Sequence, residues 1–119
     1  MSRDVKRSAR VSGRLREELS VLLRRLGDPR VSGARITRVE LTEDLSFARI
    51  FIRHELGAEG ESAQQRLGAG LESASRKLRG ELTRALGLRA APQLRFVYDS
   101  GIDAQNRVEE LLKEIADEG

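Results

Sequence analysis

An α+β fold is predicted from two observations: three segments of this 119-residue chain repeat apolar residues at steps of three and four, and three shorter ones alternate apolar with polar residues. A third follows from length, which suits one ordinary domain with one core. With a bend in the long central helix, the expected order is α-β-β-α-α-β-α. We expect a single domain over 1–119, with an ordered core about 7–99 and an acidic C-terminal helix about 103–117.

The first helix is expected from Arg7 to Leu26, where Val11, Leu15, Leu19, Leu22, Leu23 and Leu26 form one stripe. Gly27 and Pro29 stop it, because proline lacks an amide hydrogen and pushes Asp28 out of helical geometry. Arg35–Leu41 and Ser46–His54 alternate and read as strands, and the short Thr42–Asp44 link makes them an antiparallel hairpin. Leu56–Gly60 is read as a loop. Ser62 and Gln65 then match a capping box that starts the next helix. Its stripe, Leu67, Leu71, Ala74, Leu78, Leu82 and Leu86, ends at Gly87, a C-cap. Straight, that helix would span about 37 Å, the full width of such a domain, so a bend that lets each half pack separately is expected. Gly68, Gly70 and Gly80 weaken it by about 1 kcal/mol each against alanine. Gln93–Asp99 is the third strand, with Leu94, Phe96 and Tyr98 on one face. Asp103 can cap a last helix carrying Val108, Leu111, Leu112 and Ile115.

Composition removes several function classes. Aromatic residues are only 3%, so the core must be aliphatic. With no cysteine and one histidine, His54, neither a disulfide nor a thiolate or two-histidine metal site is available, and no metal or cofactor is expected. There is no apolar run for a membrane span or signal peptide, so a cytoplasmic chain without a membrane partner is expected. No glycine-rich phosphate loop or internal repeat is present. Asp44, His54 and Asp99 are the only catalytic groups worth weighing. They lie on or next to separate strands without motif spacing, so the alternative they would serve, an RNA-processing enzyme, is not expected, and neither is a small-molecule substrate.

Charge is distributed unevenly. Residues 1–30 carry a net +5, 31–61 −2, 62–98 +5 and 99–119 −5. Nineteen of the 22 basic residues are arginine, whose planar fork suits phosphate and stacks on bases. This pattern predicts a basic face for a polyanion. Arg7, Arg10 and Arg14 share one face at the start of the first helix and are phosphate-contact candidates, or else a solvated helix surface. Arg30 either reaches RNA or completes a helix stop with Asp28. In the second strand Ala48, Ile50 and Ile52 face the core, whereas Phe47, Arg49, Phe51 and Arg53 form the other face. Rings and guanidinium groups together can hold single-stranded RNA. The preferred reading is plainer: a partly covered sheet face whose arginine heads lie in water.

Four segments, taken in order, carry a resemblance: an arginine-rich first helix ending in Asp28-Pro29-Arg30, the pair RVELTEDLSFARIFI, the stretch LESASRKLRGELTRALGLR, and PQLRFVYD. Over about residues 3–115 the chain resembles the ribosome-binding factor A family. The resemblance implies a type II KH-like fold, α-β-β-α-α-β plus a C-terminal helix, with a three-stranded sheet packed against helices and a helix–kink–helix in place of the GxxG loop. The family kink falls at Ala-x-Gly, matched here by Ala74, Ser75 and Arg76, where arginine replaces glycine. Ala74, Ser75, Arg76, Lys77 and Arg79 are accordingly RNA-binding candidates, with amides freed at the kink assisting them. The implied function is a non-catalytic, monomeric assembly factor. It would bind the 30S small ribosomal subunit and its rRNA and promote maturation and 5′-end processing of 16S rRNA. The alternative is a generic KH-like single-stranded RNA-binding module or adaptor without ribosome specificity.

Overall fold

Helix α1 (Arg3–Arg25) starts one turn earlier than the expected Arg7 and about two turns before its apolar stripe. The computed structural model describes residues 3–55 and 60–99, together with Leu112 and Ile115. Leu15, Leu19 and Leu23 of α1 are buried, and the chain then turns through a single 3-10 turn, Pro29–Val31. Asp28 organises that turn: its carboxylate accepts from the Arg30 amide at 2.9 Å and from the Arg30 guanidinium at 2.6 Å. The helix stop is therefore a built junction, and it delivers Val31 into the core at 2% exposure.

Strands β1 (Ala34–Leu41) and β2 (Phe47–His54) pair antiparallel, as the hairpin reading expected. Their register shifts between Ile36 and Arg38, a bulge at Thr37. The extra residue lets both Ile36 and Val39 face the core although they are an odd number of positions apart. At the hairpin tip, Asp44 Oδ1 accepts from the Thr42 hydroxyl (2.8 Å), the Ser46 hydroxyl (2.7 Å) and the Ser46 amide (3.1 Å). This knot holds Leu45 at φ 64 with its side chain buried. Left-handed backbone costs a non-glycine residue roughly 1–2 kcal/mol, which burying a leucine offsets.

Helix α2 (Gly60–Leu86) joins β2 to β3 (Gln93–Tyr98), and β3 lies parallel to β2, giving the sheet order β1-β2-β3. Two sequence expectations change here. The helix begins at Gly60, φ +83, so Ser62 lies inside it and does not cap it. It also runs as one α-helix through Ala74-Ser75-Arg76, where two half-helices were expected. With arginine in the glycine position, none of these three residues adopts positive φ, and the buried stripe Leu71, Leu78, Leu82 continues across them. No second N-terminus forms, so no amides are freed there. The C-cap at Gly87 is observed as a Schellman motif: Gly87 N–H donates to Arg84 O (3.3 Å) and Leu88 N–H to Thr83 O (3.2 Å).

Both helices cover one face of the sheet, and the core joins their leucines to Ile36, Ala48, Ile50, Ile52 and Leu94. Of the expected loop Leu56–Gly60, Gly60 belongs to α2 and residues 56–59 lie outside the described residues, as does the helix expected from Asp103. Leu112 and Ile115 are the exceptions, both helical and exposed.

Asp28 and Asp44 share an electrostatic consequence. Hydrogen bonds from the Arg30 side chain and amide hold the Asp28 carboxyl below the usual carboxylate range, and the Ser46 and Thr42 hydroxyls do the same for Asp44. Unfolded, both bind protons more readily than when folded, so their contribution is present above the ordinary carboxylate pKa and is lost as pH falls through the lowered one. In thermal melts between neutral and strongly acidic pH, Asp28→Asn/Asp44→Asn should flatten the acid side of the midpoint curve. An acid limb as steep as the parent's would show that other carboxylates set it.

Candidate nucleic-acid interface

Helices α1 and α2 run in opposite directions. Arg14, midway along α1, donates to Ala85 O near the end of α2 (3.2 Å), whereas the turn after α1 sits on Gly70, earlier in α2. The two helices bound a groove of about 440 Å³ lined by Arg25, Lys77 and Arg84, with Glu18 and Glu81 among them and Leu22 in its floor. Arg7 lies two turns before Arg14 and hence on the same stripe of α1, and Arg10 is exposed beside it. Arg76 and Lys77 are both exposed, Lys77 at the groove and Arg76 one residue before it on α2.

The remaining candidates are engaged elsewhere. Arg30 forms an ion pair with Asp28. Arg79 points away from the groove: its guanidinium donates to Pro92 O (3.1 Å) and Ala91 O (3.2 Å), pinning the chain that leads into β3. Ala74 and Ser75 are half-buried on the helix. The structure thus brings Arg14 and Lys77 to the seam between the helices, leaves Arg7 and Arg10 exposed on the part of α1 that runs past the end of α2, and leaves Arg30 and Arg79 as struts. Arg25 and Arg84 were missed from sequence, although the spacing Arg14–Arg25 (three turns) and Lys77–Arg84 (two turns) was a readable signal.

The groups weighed for catalysis do not meet. Asp44, at the hairpin tip, is separated from His54 by the whole of β2, an eight-residue strand about 23 Å long. Asp99 Oδ2 accepts from the Thr37 hydroxyl (2.7 Å), and Tyr98 accepts from the His54 amide (3.4 Å). Among the described residues no group of three or more His, Cys, Asp or Glu could hold a metal. No helix among them is long and apolar enough to cross a membrane.

Residues 7–112 match the family model described as Ribosome-binding factor A. The chain belongs to the ribosome-binding factor A family. A ribosome-binding factor A of Sorangium cellulosum (strain So ce56) is 55% identical over 117 residues, which is 98% of this chain and 94% of the relative. Another, from Syntrophobacter fumaroxidans, is 42% identical over 113 residues, 94% of this chain and 96% of the relative. Among structures, a Thermus thermophilus ribosome-binding factor A homology model, fitted into a cryo-EM map of a 30S complex, is similar at TM-score 0.61. It shares 27% identity, covering 76% of this chain and 92% of that one. Family membership and the basic groove therefore stand on independent observations, one on aligned sequence and the other on where two helices place their cations.

Proposed function

We propose that this chain binds the 30S small ribosomal subunit through its rRNA and promotes the maturation and 5′-end processing of 16S rRNA as a non-catalytic, cytoplasmic, monomeric factor. Family membership over nearly the whole chain carries this reading, together with the Thermus relative's placement in a 30S complex. The order α-β-β-α-β, with β3 parallel to β2, supports reading the chain as one type II KH-like domain whose two central helices are fused into one. Lys77, Arg25 and Arg84 at the helix seam, Arg76 beside it and Arg7 and Arg10 on the projecting start of α1 then supply phosphate contacts. Such contacts position a protein on RNA shape without reading base edges.

The test is sedimentation with small subunits. Arg76→Glu/Lys77→Glu/Arg84→Glu should weaken binding by about tenfold or more at moderate salt and flatten its salt dependence. Arg79 is left intact because its loss would loosen the path into β3. Unchanged co-sedimentation of a folded variant would remove the helix seam from the interface.

A further inference from the structure

The face of the sheet away from the helices has a composition that no single strand reveals. Cross-strand pairing puts Arg35 opposite Arg53, Arg38 opposite Phe51 and Glu40 opposite Arg49; on the other side of β2, Arg95 lies opposite Arg49, Val97 opposite Phe51 and Gln93 opposite Phe47. Paired residues project to the same side of a sheet. Ala48, Ile50 and Ile52 are fully buried on the helix side. Five arginines, two phenylalanines and a valine therefore share the open side, with Glu40, Glu55 and Asp99 as acids among the described residues. All five arginines are exposed and both rings half-buried.

The local contacts show how this face is prepared. The Arg38 guanidinium lies 4.0 Å from the Phe51 ring centre, which orients the ring and leaves positive charge over it. Glu40 is occupied by Arg49 at 3.4 Å. Asp99 is held by Thr37. Arg35, Arg53 and Arg95 make no hydrogen bond or ion pair with a described residue. Beside Phe47 a shallow hollow of about 190 Å³ opens between Thr42 and Arg49. The basic surface also continues around the free edge of β1. Arg35 and Arg53 line one hollow with Arg16 and Glu55, and Arg16, Arg24 and Arg35 line the adjoining groove along α1, about 670 Å³, which Glu55 also borders; Arg16 itself donates to Ile36 O at 3.3 Å.

We propose that this open sheet face is a second RNA surface, holding a single-stranded segment by stacking bases on Phe47 and on the Arg38 guanidinium that covers Phe51, while Arg35, Arg53 and Arg95 neutralise its phosphates. Charge complementarity selects a polyanion, and half-exposed rings among unpaired guanidinium groups favour unpaired bases over a duplex. The surface is distinct from the helix seam, on the opposite side of the sheet, so it extends the function proposed above without using the same residues.

Fluorescence anisotropy of the full chain with a labelled, unstructured RNA of about 12 nucleotides tests it. Arg35→Gln/Arg53→Gln/Arg95→Gln should weaken binding by about tenfold or more and make the slope of log affinity against log salt shallower by about 2, near 0.7 per lost phosphate contact. Phe47→Leu/Phe51→Leu should weaken it by about fivefold or more with the slope unchanged. Circular dichroism and melting temperature confirm the fold of each variant. Affinities within about twofold of the parent in both variants overturn the proposal. So does oligonucleotide binding that is abolished by the helix-seam variant alone. Another overturning outcome is RNA binding seen only after Glu109→Gln/Glu110→Gln/Glu114→Gln, which would make the acidic C-terminal segment the face's occupant. Subunit sedimentation of the helix-seam variant is read separately, so failure here and failure of the proposed function remain distinguishable.

Discussion

Leu78→Ala should lower the free energy of unfolding by about 2–5 kcal/mol, measured from urea transitions with an unchanged slope. Leu78 is fully buried in the middle of α2, in a core that also takes side chains from α1, the 3-10 turn and all three strands. Truncation removes the transfer free energy of the lost carbons and leaves a cavity. Walls supplied by several elements cannot all move inward together, so the upper half of that range is expected. Leu112, 60% exposed, is the control: Leu112→Ala should change stability by less than about 0.5 kcal/mol. Equal effects at the two positions would contradict the core described above.

A second expected result separates three glycines of one helix. Gly68→Ala and Gly80→Ala should each stabilise the protein by about 0.5–1 kcal/mol, because alanine is the better helix former and an added β-carbon meets nothing within 4 Å at either site. Gly70→Ala should instead destabilise by about 1–3 kcal/mol, despite the same gain in propensity. Its β-carbon would fall 2.8 Å from Val31 Cγ1 and 3.0 Å from Arg30 Cβ. Neither neighbour can yield easily. Val31 is buried, and Arg30 is tied to Asp28 through both its amide and its guanidinium. Gly70 is thus the site where the junction after α1 rests directly on α2. A Gly70→Ala protein as stable as the parent would show that this turn relaxes freely.

These two results mark how much was legible in advance. The leucine stripes of both helices, the hairpin and the Gly87 cap could be read because each depends on residues within a few positions of one another. The Thr37 bulge was half legible: Ile36 and Val39 are both apolar at an odd separation, which strict alternation cannot place on one face. The kink expected at Ala74-Ser75-Arg76 came from resemblance and did not form, since the position that needs a glycine holds Arg76. Gly70 looked like a simple weak point in the helix, because its reason for lacking a side chain lies some forty residues earlier, in Val31 and Arg30.

The candidate site divides in the same way. Arginine abundance and its segregation into two basic stretches were properties of the chain, and they were sufficient to expect a polyanion. Whether a given guanidinium is free or committed was not, because its partners are backbone carbonyls that only folding brings near. Arg79 meets Pro92 and Ala91, and Arg14 meets Ala85, through bonds that no side-chain pattern encodes. Amino-acid order alone determined the first helix, the three strands, the aliphatic core and the family, all of which depend on local periodicity or on aligned motifs. Tertiary structure alone decided which cations share a surface, because strand register set Arg35, Arg38 and Arg95 beside Phe47 and Phe51. Pairing across strands is a long-range choice made by burial of the opposite face.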